Sequence, residues 1–279
     1  MIRKIFFISF FSLCFSTISS SACLDEVKMF YKSYMTNILK GRLNNEHLFE
    51  KYLTAGLVAK IKRMTYATWC DPIIRAQDVN EDAISSLMVK ARENDWYVVS
   101  YLWNKKDSTT KTEIPLKAKC IDGKCKIVYI TPEVNGVLYG DAMLACCEDM
   151  SISKIDETSG KTFVESFYNA YLALYCAMSE DINAQLSSLR LSHLSPIALQ
   201  QFKKAELENQ EDGCYGYDLL INDFDFDSMW YKSLKVAQLS NDRFLISYQK
   251  GVTICKIRIQ IECQQGKYLI HSISLSENV

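Results

Sequence analysis

The sequence predicts an α+β protein of two tandem domains, each with N-terminal helices packed on a curved antiparallel sheet. Apolar residues change from helical to alternating spacing partway through each predicted domain. Four short segments also recur in one order, at offsets of 137–147 residues. This kind of recurrence indicates a duplicated domain. The recurring pairs are FYKSY at 30–34 with FYNAY at 167–171, SLMV at 86–89 with SLKV at 233–236, NDWYVVSY at 94–101 with NDRFLISY at 241–248, and CIDGK at 120–124 with CQQGK at 263–267.

The first part of each copy is predicted to be helical. Apolar residues recur three and four positions apart over 24–38, which is the spacing of one helix face. A second helical stretch over 46–64 has an internal start at Thr54. Its counterpart in the second copy has Ser195 as N-cap and Pro196 at the first helical position, a strong start signal.

Strands are predicted to follow the helices. Asn94-Asp95 is expected to form a turn between two strands, because both residue types tolerate the left-handed conformation. Asp122-Gly123 is a strong hairpin signal at the end of the first copy. Helices followed by hairpin-linked strands indicate helices on one face of an antiparallel sheet. The strands of the first copy are predicted at 70–78, 84–92, 96–103, 112–120 and 125–130.

The first 22 residues are predicted to be an export signal. Arg3 and Lys4 precede a short apolar stretch and small residues suited to cleavage,. Cleavage there would leave Cys23 as the first mature residue. A lipid on Cys23 and a plain secreted form both stay open, because Ser20 stands where the usual bacterial lipoprotein motif has an aliphatic residue.

The remaining chain is divided by the recurrence into three parts. Residues 23–135 form the first α+β domain, 136–160 a linker or interface segment, and 161–279 a second, diverged α+β domain. Lys and Arg total 32 against 33 acidic residues, so no strong field favours nucleic acid as a partner.

Eleven cysteines suit the oxidising compartment that an exported protein enters. Cys120 and Cys125 face each other across the predicted hairpin, so a disulfide between them is expected. The pairing of the other cysteines cannot be deduced. The sequence has no pair of CxxC motifs and no histidine spacing typical of a metal site, so neither metal nor cofactor is predicted.

Candidate site residues cluster around the predicted strand at 70–78. Alternation along a strand would place Asp71, Arg75 and Gln77 on one face and Asp78 on the other. Arg75 is a candidate for binding an anionic or carbonyl group, with Asp71 or Asp78 orienting it. The alternative is a structural Arg–Asp pair, because a buried charge needs a partner.

Aromatic residues of the first copy are the other candidates. Tyr31, Tyr34 and Trp96 either line a cavity for an apolar or sugar-like ligand or belong to the core. Aromatic residues at helical spacing favour the core.

Three segments carry a family resemblance. They are KYLTAGLVAKIKR at 51–63, DPIIRAQD at 71–78 and WYVVSY at 96–101. Together they resemble a family of exported bacterial domains of unknown function, which is similar to the nuclear transport factor 2-like (cystatin-like) superfamily. The resemblance covers 24–132 and reaches 163–275 only through the recurrence. It implies a helix-plus-curved-sheet cone and a Gram-negative envelope location, and it implies no activity.

These observations favour a non-catalytic binding or interaction protein, in the periplasm or anchored to the outer membrane. Its partner would be a small ligand or another envelope protein, and it would meet the membrane only through a lipid on Cys23. One alternative is a pocket enzyme of hydrolase or isomerase type, using Asp71 or Asp78 with Arg75. Another is an immunity or inhibitor protein that caps a secreted toxin, which an exposed apolar patch would favour.

Overall fold

The computed structural model of the chain describes residues 20–132 and 154–275, with side chains from Cys23 onward. Most of the predicted signal peptide, residues 133–153 and residues 276–279 lie outside the described residues. Residues 133–153 include most of the predicted linker at 136–160, with Cys146 and Cys147.

The described residues form helices and two separate four-stranded antiparallel sheets, which confirms the α+β class. In both sheets the strands lie in chain order, so each is a meander. The layout is consistent with two domains. The first half contains α1 (Ser20–Leu39), α2 (Glu46–Tyr52), α3 (Ala55–Thr68), α4 (Glu81–Ser85), β1 (Met88–Ala91), β2 (Trp96–Leu102), β3 (Lys111–Ile121) and β4 (Lys124–Ile130). The second half contains α5 (Gly160–Ala177), α6 (Ile182–His193), α7 (Pro196–Glu211), α8 (Ser228–Tyr231), β5 (Lys235–Gln238), β6 (Arg243–Lys250), β7 (Thr253–Gln264) and β8 (Lys267–Leu275).

The predicted helix starts are confirmed. Helix α3 begins after Thr54, whose side chain accepts a hydrogen bond from the amide of Leu57. Helix α7 begins after Ser195, which accepts from the amide of Ala198, with Pro196 at the first helical position. Each cap satisfies an amide that has no partner within its own helix.

The predicted strand at 70–78 is wrong, because this segment is a tight loop. The amide of Asp71 donates to the carbonyl of Ala76 at 3.1 Å. The Asp71 carboxylate accepts from the amide of Ile73 at 2.8 Å. Arg75 has a left-handed backbone with φ of 54°, which a strand does not tolerate. Local side-chain hydrogen bonds thus compete with a strand ladder here.

The second half contains the same loop. The amide of Asp218 donates to the carbonyl of Asp223 at 2.8 Å, and the Asp218 carboxylate accepts from the amide of Leu220 at 2.8 Å. Asn222 has φ of 52° and occupies the place of Arg75.

A tyrosine from the neighbouring sheet holds each loop. Tyr101 on β2 donates its hydroxyl to the carbonyl of Ile74 at 2.5 Å. Tyr248 on β6 donates to the carbonyl of Ile221 at 2.7 Å. The halves therefore share local hydrogen bonds as well as strand order.

Each half has its own apolar core around its first long helix. Phe30 and Tyr31 of α1 are fully buried in one core, and Phe163 and Phe167 of α5 in the other. No helix among the described residues combines the length and the apolar character needed to cross a membrane.

The expected disulfide between Cys120 and Cys125 is wrong. Cys125 is bonded instead to Cys23, with 5.4 Å between their Cα atoms. Helix α1 packs against β4 and brings Cys23 beside Cys125. The predicted hairpin register is confirmed, since Cys120 and Cys125 are opposite each other, but Cys120 is an exposed free cysteine.

Charged side chains join the two halves. Lys60 of α3 is 2% exposed. Its ammonium lies 2.7 Å from a carboxylate oxygen of Asp225 and 3.3 Å from one of Asp227. Burial alone would lower the pKa of Lys60, but the two carboxylates outweigh it and the pKa is raised. We call residues 223–227 the acidic segment.

Three further contacts surround this ion cluster. Arg63 Nε lies 2.9 Å from Asp225. Tyr129 of β4 donates its hydroxyl to Asp227 at 2.8 Å. Lys250 of the second half donates to the carbonyl of Ala67 in α3 at 2.7 Å. Buried charges with several partners of this kind fix the position of one half against the other.

Candidate functional site

A cavity of about 720 Å³ lies between α3 of the first half and the helices of the second half. This volume is typical of small-molecule sites. Its lining comes from α3, the end of α5, α6, α7 and the segment before the Asp218 loop. The lining residues are Ala59, Lys62, Arg63, Thr65, Tyr66, Tyr175, Glu180, Ile182, Asn183, Leu186, Arg190, Phe202, Glu206, Tyr215, Gly216, Tyr217 and Asp218.

A buried carboxyl group, Asp218, forms one wall of the cavity. Its Oδ2 atom accepts from the hydroxyls of Tyr171 at 2.5 Å and Tyr175 at 2.6 Å. Arg190 Nη1 lies 3.4 Å from the same oxygen. Burial raises the pKa of Asp218, although Arg190 and the tyrosine hydrogen bonds act in the opposite direction.

Two guanidinium groups, those of Arg63 and Arg190, border the cavity. The guanidinium carbon of Arg63 lies 5.9 Å from the centre of the Tyr175 ring. That of Arg190 lies 4.4 Å from the centre of the Phe202 ring, and its Nη1 donates to the Tyr171 hydroxyl at 2.6 Å. Both side chains are thus held in place by aromatic contacts.

Arg63 carries a hydrogen-bond donor that the described protein atoms leave unused. Its Nε atom is bound to Asp225, while its Nη2 atom is buried and has no hydrogen-bond partner among the described residues. A buried donor without a partner costs about 1–3 kcal/mol. A ligand oxygen at this position would remove that cost.

Tyrosine rings form the apolar part of the lining. Tyr66 and Tyr217 pack against Phe224, with ring centres 5.6 Å and 5.4 Å apart. Tyr215 is 60% exposed and is free to contact a bound molecule from the solvent side. Flat rings of this kind suit the faces of a planar or ring-shaped ligand.

The charges of the lining balance when all are ionised. Lys62, Arg63 and Arg190 supply three positive groups, and Glu180, Glu206 and Asp218 supply three acidic ones. Because burial favours the neutral form of Asp218, the balance moves toward positive in mildly acidic solution. The arrangement can therefore hold a polar molecule with an acidic group.

All seven predicted pocket residues lie in the first half, and none of them lines this cavity. Two are brought together: Tyr34 donates its hydroxyl to Asp71 at 2.6 Å. Burial raises the pKa of Asp71, against the opposing effect of its hydrogen bonds. This pair is the counterpart of the Tyr171–Asp218 pair.

The predicted anion-binding group Arg75 binds the backbone. Its Nη1 donates to the carbonyl of Glu113 at 2.6 Å, and its Nη2 to the carbonyl of Thr131 at 2.9 Å. These contacts tie the loop to β3 and to the end of β4. Arg75 therefore fixes a loop.

The other predicted residues differ in burial and surroundings. Gln77 and Asp78 are exposed. Trp96 is buried against Tyr129, with ring centres 5.7 Å apart. Tyr31 is fully buried in the core of the first half, where burial raises the pKa of its hydroxyl and the charges of Arg75 and Asp71 are close enough to act on it.

Sequence reasoning missed most of the cavity. The recurrence did match Asp218 to Asp71 and Tyr171 to Tyr34, so the buried Tyr–Asp pair had a detectable signal. Arg63 and Arg190 had none. Arg63 meets Asp225 only through packing of one half on the other, and Arg190 meets Asp218 only through packing within the second half. Among residues 23–132 and 154–275, no group of three His, Cys, Asp or Glu side chains is placed to hold a metal ion.

Comparisons with known proteins give little. No family model matches the chain, and no curated protein matches it. The chain is similar to a protein of unknown function from Bacteroides thetaiotaomicron whose crystal structure is known. That protein is 32% identical, the match covers 40% of this chain and 91% of the other, and the TM-score is 0.38. No functional argument follows from this likeness.

Proposed function

We propose that this chain is a non-catalytic binding protein of the bacterial cell envelope, whose ligand occupies the cavity between the two halves. The observation that carries the proposal is the buried, unpartnered Nη2 of Arg63 in the wall of a cavity of about 720 Å³. The ligand is a small molecule with a carboxylate or phosphate oxygen for Arg63 and a ring for the tyrosines. Envelope location rests on the N-terminal segment and the family resemblance.

Binding is favoured over catalysis by the state of the cavity carboxyl group. Asp218 Oδ1 accepts from the amide of Leu220, and Oδ2 accepts from two tyrosine hydroxyls. A general base needs an oxygen directed at the substrate proton. Asp218 instead orients Tyr175 and Arg190. The enzyme alternative with Asp71, Asp78 and Arg75 and the toxin-capping alternative stay predictions.

The proposal also covers the evolutionary origin of the two halves and the fold of each. One is that a single ancestral unit was duplicated and fused; the shared strand order and the matching Asp71 and Asp218 loops support it. The other is that each half is a nuclear transport factor 2-like cone. Helices followed by a four-stranded meander in each half support that assignment.

Native mass spectrometry of protein purified from its own envelope tests the binding proposal. Wild-type protein should carry a small molecule that denaturation releases. Arg63→Lys keeps a positive charge for Asp225 but removes Nη2, so the affinity should fall about tenfold, a loss of about 1.4 kcal/mol, and the bound fraction should fall with it. Tyr215→Ala should also lower it, because the exposed ring is a ligand contact.

Val252→Ala is the matched control for an exposed apolar side chain, since Val252 is 71% exposed and is not a lining residue. It should leave the bound fraction unchanged. Thermal unfolding of each variant shows whether it has kept its fold. Equal occupancy in wild type, Arg63→Lys and Tyr215→Ala would place the ligand elsewhere and remove the proposal.

A further inference from the structure

Three cysteines line one crevice of about 430 Å³ in the first half. Cys23 and Cys125 form the disulfide, and Cys120 is an exposed free cysteine that lines the same crevice. A free thiol beside a disulfide has the composition needed for exchange without any added reagent.

The strand register allows Cys125 either partner. Cys120 is directly opposite Cys125 across β3 and β4, one pair in from Ile121 and Lys124 at the turn. Opposed residues in an antiparallel pair have Cα atoms about 4.5–5.5 Å apart, within the usual disulfide range of about 4.4–6.8 Å. The Cα distance from Cys125 to Cys23 is 5.4 Å. Cys125 can therefore change partner without a change of register.

We infer that Cys120 is a thiol–disulfide exchange site that gives this chain two disulfide states. The Cys120 thiol loses its proton to solvent, and the thiolate attacks Cys125 Sγ. The Cys120–Cys125 bond forms as the Cys23–Cys125 bond breaks. The electron pair leaves on Cys23 Sγ, which takes up a proton. One disulfide and one thiol are present before and after, so no oxidant or reductant is consumed.

The exchange changes which elements of the first half the disulfide links. In one state it ties α1 to β4 across a sequence separation of 102 residues. In the other it closes only the β3–β4 hairpin, and the N-terminal end of α1 is released with a free Cys23 thiol. A lipid attached through sulfur to Cys23 requires that thiol. The lipid-bearing form would therefore contain the Cys120–Cys125 bond, and a plain secreted form would have access to both.

Disulfide mapping of the purified full chain tests the inference. Trypsin cleaves after Lys119, Lys124 and Lys126, so Cys120 and Cys125 fall on separate peptides, and Cys23 falls on a third. The protein is equilibrated in a reduced and oxidised glutathione buffer at about pH 8.5, where roughly half of an ordinary thiol is ionised. It is then quenched with acid, alkylated and digested without reduction. Wild type should yield the Cys125 peptide linked to each of the other two.

Variants separate the two states. Cys120→Ser should abolish the hairpin link and leave only the link to Cys23. Cys23→Ser should abolish that link and leave only Cys120–Cys125. Cys263 is the matched control, because it occupies the same hairpin position in the second half but is opposite Tyr268. Cys263→Ser should leave both links in wild-type proportion.

The decisive measurement needs no variant. If equilibrated wild-type protein contains only the Cys23–Cys125 link, the inference is overturned. It is also overturned if folded Cys23→Ser protein has both Cys120 and Cys125 alkylated in the buffer that oxidises wild type. Neither result depends on a bound ligand in the cavity.

Discussion

Replacement of Lys60 by methionine tests the contact between the halves. Methionine retains most of the apolar length of lysine but has no ammonium group. Asp225 and Asp227 would lose the cation that lies 2.7 Å and 3.3 Å away, and the carbonyl of Phe226 would lose a donor at 3.0 Å. The side chains of both aspartates are fully buried, so water cannot replace the lost partner without opening the contact.

The expected loss follows from the remaining partners. Removing one member of a buried ion pair costs about 3–5 kcal/mol. Asp225 keeps Arg63 Nε at 2.9 Å and Asp227 keeps the Tyr129 hydroxyl at 2.8 Å, so we expect the lower end, about 3 kcal/mol. Equilibrium urea unfolding of the oxidised full chain, followed by tryptophan fluorescence, measures it. Loosening of the contact should also broaden the transition or divide it in two.

Lys62→Met is the control, because Lys62 is exposed and lies two residues further along α3. Surface substitutions usually change stability by no more than about 0.5 kcal/mol. The reasoning would be refuted if Lys60→Met lost less than about 1 kcal/mol, the value of an exposed pair, or matched Lys62→Met. Adding Asp227→Asn to Lys60→Met should restore part of the loss, since Asp227 is the carboxylate left without a cation while Asp225 keeps Arg63.

Three further predictions concern other contacts. Because burial raises the pKa of Asp218, the folded state keeps the carboxyl proton to higher pH than the unfolded state does. The protonated carboxyl therefore stabilises the fold fully below the unfolded-state pKa, and this contribution is lost as the pH rises through the folded-state pKa. Asp218→Asn should flatten this fall in urea unfolding measured upward from about pH 4, and an unchanged slope would contradict it. Gly56→Ala would place a Cβ 1.8 Å from the carbonyl oxygen of Met178, so overpacking should cost about 1–3 kcal/mol; a wild-type melting temperature would count against that close approach. Cys23→Ser removes a cross-link spanning 102 residues, worth about 4.7 kcal/mol by loop closure and less where the hairpin bond replaces it; urea unfolding that matched wild type would contradict a stabilising role.

Local signals in the sequence predicted much of each half. Thr54 and Ser195 act as N-caps because a side-chain oxygen satisfies a helix amide whatever surrounds it. The NDWYVVSY and NDRFLISY segments become β2 and β6 with the turns before them, and Asn94 has φ of 55° as the turn requires. Such features depend on a few neighbouring residues, so a recurring segment predicts the same local structure in both halves.

The cavity depends on contacts that no local signal contains. Arg63 and Asp225 are 162 residues apart, and they meet only because α3 packs on the acidic segment. Comparing the two halves position by position shows only which residues are equivalent. Arg63 and Asp225 are not equivalent positions, so the comparison does not predict their contact. The error at Arg75 was local: apolar neighbours suggested a strand, and the aspartate two residues from Ile73 formed a turn instead.

The contact between the halves joins a helix of one unit to a loop of the next, which is a head-to-tail geometry. A head-to-tail contact that does not close on itself can in principle repeat without limit and build a fibre. Identical units would each present both a basic helix and an acidic loop.

In this chain the two halves differ at both of these surfaces. Counted from the N-caps, Gln201 stands in the second unit where Lys60 stands in the first. At the 147-residue offset of the recurrence, Ala76 and Asn80 stand where the acidic segment has Asp223 and Asp227, while Asp78 stands where it has Asp225. The offset between the N-caps also places Lys204 where Arg63 stands. A further unit would keep that cation and the Asp78 carboxylate but would lack the buried pairing of one lysine with two aspartates, so it would be held less firmly.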